Sequence, residues 1–84
     1  MENWNTPTQV WLGSGKFDSK GREIGYIVGF NENGSQFAAW VQNGRKENGE
    51  FFDFGVPQRS KIFGTQAEAS NWAYSTAKSR IANV

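Results

Sequence analysis

Gly13-Ser14-Gly15-Lys16 carries the residue types that cradle a phosphate, with glycine amides beside a lysine. The spacing defeats that chemistry. A phosphate loop needs four residues between its first glycine and the Gly-Lys pair, and a helix directly after, whereas a turn and a strand-like run follow here. The glycines are read instead as a bulge or bend in a first strand. Among the eight carboxylates, Asp18, Glu32, Glu47 and Glu50 fall in segments that read as turns, and Glu68 is committed to a helix cap. No pair is placed so as to drive two pKa values apart, as acid–base catalysis requires. Ser and Lys nucleophiles lack a recognisable base. With no histidine and no cysteine, imidazole bases, thiol nucleophiles, disulfides and Cys/His zinc sites are excluded. The chain is expected not to be an enzyme and to carry no cofactor and no metal.

The residues left for function are cations and aromatic rings. The basic side chains gather in turns: Lys16, Lys20 and Arg22 near the first, Arg45 and Lys46 near a later one, Arg59 and Lys61 ahead of the final helix. Such loops can hold phosphates but do not read bases. Formal net charge is only +1, which predicts no strong non-specific grip on nucleic acid. The 13 aromatics must supply most of the core, because leucine and methionine together contribute two side chains. Tyr26, Phe30, Phe37 and Trp40 sit among apolar neighbours of both strand parities, so one helix is not expected to cover them all. The remainder either lies under the N-terminal segment with Trp4 and Trp11 or under the long loops, or forms an exposed interface for a partner, a second copy or unstacked bases.

These side chains need a scaffold, and the final quarter defines it best. Thr65-x-x-Glu68 is a capping box, which starts a helix at about Gln66. Ala69, Trp72, Ala73, Thr76, Ala77 and Ile81 form its inward stripe, with Trp72 expected as the central buried plug and Arg80, on the same stripe, either reaching round to water along its stem or pairing with a partner. Upstream, residues 1–8 read as a loose arm, and residues 9–17 as a strand interrupted at its glycines. Asp18-Ser19-Lys20-Gly21 reads as a turn. Residues 23–30 place Ile24, Tyr26, Val28 and Phe30 on one face and Gly25, Ile27 and Gly29 on the other. Asn31-Glu32-Asn33-Gly34 supplies hairpin chemistry. Residues 35–42 place Phe37, Ala39 and Val41 opposite Ala38 and Trp40. Residues 43–50 read as a polar, mobile loop, 51–54 as a further strand, and Lys61-Ile62-Phe63 as the lead into the helix.

The junction Phe63-x-Thr65-x-x-Glu68-Ala69, behind a glycine-punctuated meander and ahead of an alanine-rich helix, resembles two DNA-binding groups. These are the plant ethylene-response-factor type domain and the arm-type domain of phage and transposon integrases. The resemblance implies three antiparallel strands on one C-terminal helix, with the sheet laid in the major groove. Those domains read DNA through basic and tryptophan side chains on the strands, and here only Trp40 matches in kind.

The reading is one α+β domain over residues 9–84, a three- or four-stranded antiparallel meander packed on one C-terminal helix. No apolar run reaches membrane-spanning length, and the expected setting is soluble and cytoplasmic. A non-enzymatic binding module is expected. Nucleic acid would be held by Lys20, Arg22, Arg45, Lys46, Arg59 and Lys61 with Trp40 against the bases. The alternative is a protein partner or homodimer on Tyr26, Phe30, Phe37 and Trp40, as in small phage or mobile-element accessory proteins.

Overall fold

The computed structural model describes residues 8–56 and 58–84. Five strands precede one helix: β1 (Thr8–Phe17), β2 (Glu23–Asn33), β3 (Gln36–Glu47), β4 (Glu50–Asp53), β5 (Lys61–Phe63) and α1 (Gln66–Ile81). The sheet is antiparallel in the order β1-β2-β3-β4, and β5 also pairs with β3. β4 takes residues 44–47 of β3 and β5 takes residues 37–39, so two short strands share one position at the sheet edge. This is the α+β meander on a C-terminal helix that the sequence predicts, with Lys61–Phe63 promoted from a lead-in to a strand. Among the described residues no helix is long and apolar enough to cross a membrane. The expected arm, with Trp4, lies outside the described residues except for Thr8, which already pairs with Phe30 in β1.

The turns follow from residue chemistry. Asp18 closes the first by accepting the Gly21 amide on its carbonyl and the Lys20 and Arg22 amides on its carboxylate. The first strand does bend at its glycines. Register slips between Gly13 and Lys16, Gly15 takes φ +77°, and the Ser14 hydroxyl donates to the Ile24 carbonyl at 2.6 Å. Two boundaries correct the sequence reading. β2 runs on through Asn33, and the hairpin loop is Gly34-Ser35, so Glu32 lies in a strand. Residues 43–50 form a hairpin end, with Glu47 closing β3, Glu50 opening β4 and only Asn48-Gly49 between them. Both loop residues have positive φ, 55° and 82°, as a type I′ turn requires.

Thr65 caps α1 as expected. Its hydroxyl oxygen accepts the Glu68 amide at 3.2 Å and its hydroxyl donates to the Glu68 carboxylate at 2.9 Å. The central core consists of Val28, Ala39 and Val41 under Ala69, Ala73 and Ala77, all buried. Alanine at every fourth position lets the helix backbone settle directly onto the sheet. That corrects the role of Trp72, which stands about 100° round the helix from Ala73. It lies half-buried over β5, its ring 5.8 Å from that of Phe63. Arg80 is exposed in the last turn, outside the buried stripe.

Candidate functional site

Strand register assigns the aromatic side chains to two faces. Leu12, Tyr26, Phe30, Phe37 and Phe63 pack against the core on the α1 side, which agrees with their shared parity. Phe30 and Phe37 also line a cleft of about 340 Å³ beside the first turns of α1, with Ala69 and Tyr74 as further walls and Glu32 and Gln66 at its rim. The Phe30 and Tyr74 rings are 5.8 Å apart. Of the four aromatics expected at an interface, Trp40 alone belongs to the opposite face.

That opposite face is paved by its own tryptophans. Trp40 and Gly29 are cross-strand partners, and a β-carbon on Gly29 would overlap the indole, so the ring lies flat on bare backbone. Gly13, Gly25 and Gly44 face one another across β1, β2 and β3 and form a glycine row. Trp11 crosses that row diagonally. A β-carbon would come within 2.6 Å of its ring at Gly25 and within 2.9 Å at Gly44. Its outer end stacks on Phe51 at 5.8 Å and 20°. Ile27 lies beside both indoles and is only 1% exposed, although the helix is on the other side of the sheet. Among the described residues no helix or strand packs over this layer; α1 lies against the Val28 and Ala39 face. Gln9 and Gln42 flank the indoles, Ile62 stands exposed at one end, and Glu23, Lys46 and Asp53 mark the other.

The cations do not converge on this surface. Arg22 and Arg45 lie on the α1 side and donate from Nε to one oxygen of Asp18, at 2.9 and 3.1 Å. The Arg45 guanidinium lies 4.2 Å from the Phe54 ring centre and that of Arg22 lies 5.3 Å from it. The cluster pins the first turn to β3. The Arg22 backbone amide is the chief cause holding the Asp18 carboxyl down at about 2, below the ordinary 3.8, with further help from the Lys20 amide and the Arg22 guanidinium against the opposing pull of desolvation. Lys61 reaches over the Phe63 and Trp72 rings on the helix side. Lys20 is exposed in the first turn and Arg59 in the irregular segment before β5, and Lys46 alone of the six expected cations is placed by strand register on the face of Trp40.

Sequence reasoning missed Trp11, Phe51 and Ile62 as members of this surface. The usable signal was the parity of the glycines: Gly25, Gly29 and Gly44 point the same way as the tryptophans that need room to lie down. Comparison with protein-family models, with curated proteins and with solved structures gives no match to this chain.

Proposed function

We propose that this chain is a small non-enzymatic binding module that docks a protein partner on the sheet face carrying Trp11 and Trp40. The observation that carries this reading is the pair of indoles lying on glycine floors opposite the helix. Indoles held this way present wide, rigid, amphipathic area at little cost in side-chain entropy, and tryptophan is enriched at the energetic centres of protein interfaces. Gln9 and Gln42 supply a neutral polar rim. The nucleic-acid reading has less support, because phosphate binding needs cations on the surface that stacks the bases. Here Arg22 and Arg45 serve Asp18 on the other side of the sheet, and Lys46 alone lies near the indoles.

The test is capture from extract of the native cells by the intact chain and by a Gln42→Glu variant. A captured protein lost from the variant, which should melt like the parent, and retained by Lys20→Ala, Arg59→Ala supports the reading. Tight binding of labelled single strands or duplex that weakens steeply with salt contradicts it.

A further inference from the structure

The two edges of the sheet are built differently. On the far side the edge is broken between β4 and β5, strands of four and three residues that carry Glu50, Asp53 and Lys61. Short pieces and charges are common guards against edge pairing. The other edge is β1, ten residues long, and among the described residues no strand pairs with its outer side. From Thr8 to Gly15 it contains neither charge nor proline, and it stays in regular register with β2 as far as Gly13. The bulge that would twist an edge away comes only after this stretch. Val10 and Leu12 on one face and Trp11 on the other are all half-buried, so this edge is apolar on both sides.

We infer that β1 pairs antiparallel with β1 of a second copy, joining two sheets edge to edge about a two-fold axis normal to the sheet. Opposed residues in an antiparallel pair share a face. With the axis at Trp11, that residue faces its own copy, Val10 faces Leu12 and Gln9 faces Gly13, and none of these residues is charged. Lys16 falls beyond the bulge and is kept out of the paired stretch. The second copy is the occupant because the stretch complements itself: its open backbone groups find partners, apolar side chains meet apolar ones on both faces, and no like charges are opposed. Both helices then lie on one side and all four copies of Trp11 and Trp40 on the other. The inference concerns the edge and does not rest on what docks on the tryptophan face.

Sedimentation of the intact chain over a range of concentrations is the test, run beside Val10→Lys and the face variant Gln42→Glu. The expected result is a dimer that Val10→Lys converts to a folded monomer and Gln42→Glu leaves intact. Amide exchange of residues 8–13 should then slow as concentration rises, a readout on the unaltered chain that decides the matter should Val10→Lys fail to fold. A monomer at every concentration overturns the inference, as does a dimer that Gln42→Glu dissociates while Val10→Lys does not.

Discussion

Trp40 rests on Gly29, its cross-strand partner, and the indole occupies the space where any other residue would carry a β-carbon. The contact is a packing fit with no hydrogen bond behind it, so it is sensitive to single atoms.

Gly29→Ala should therefore lift the indole from the sheet. Overpacking of this kind costs about 1–3 kcal/mol. Urea denaturation should show the loss, and near-ultraviolet circular dichroism should show a changed tryptophan signal. The backbone at Gly29 is ordinary extended strand and supplies no other reason for glycine.

Ala73 is fully buried between the helix and Val28 and Ala39. Ala73→Leu should push the helix off the sheet and destabilise by about 1–3 kcal/mol or more. Trp72→Ala should cost less than the roughly 3–5 kcal/mol of a fully buried tryptophan, since this side chain is only partly buried, over β5. Thermal melts of the two variants give the comparison.

Loss of the Thr65 cap in Thr65→Ala should cost about 0.5–2 kcal/mol, measured by the same melts. Thr65→Ser should recover most of it, because the serine hydroxyl can accept the Glu68 amide in the same way.

The Asp18 carboxyl titrates lower in the folded chain, at about 2, than its ordinary 3.8. A depressed carboxylate stabilises the fold above its unfolded pKa and loses that contribution as pH falls through the folded one. Asp18→Asn should thus be less stable than the parent by a constant margin above about pH 4, and the margin should shrink as the pH approaches 2. Urea melts of both chains across that range measure it.

The legible parts of the fold were those governed by local chemistry. The capping box located the start of α1, and the alternation in residues 24–30 and 37–41 divides those residues between the two faces as the strand register does. Residues 43–50 hide their strand because one face is Gly44 lying under Trp11 and Ile27 and the other carries Arg45 on Asp18, so no apolar alternation marks a ladder that continues to Glu47. Trp72 reads as central by its size, whereas a closely packed helix puts its smallest residues, Ala69, Ala73 and Ala77, at the centre. The tryptophan surface depends on register between strands distant in sequence. Nothing local shows that Trp11 crosses Gly25 and reaches Gly44, or that Phe51 ends the stack.

Radical footprinting of the chain in extract from its native cells, with mass-spectrometric readout of side-chain oxidation, shows whether a partner covers the tryptophan face. Trp11, Trp40 and Ile62 should be protected relative to buffer, while Phe52 and Phe54, exposed on the opposite side near the Asp18 cluster, remain as reactive as before. Protection of Phe52 and Phe54 with unchanged Trp11 and Trp40 would contradict it and move the binding surface to the arginine side of the sheet.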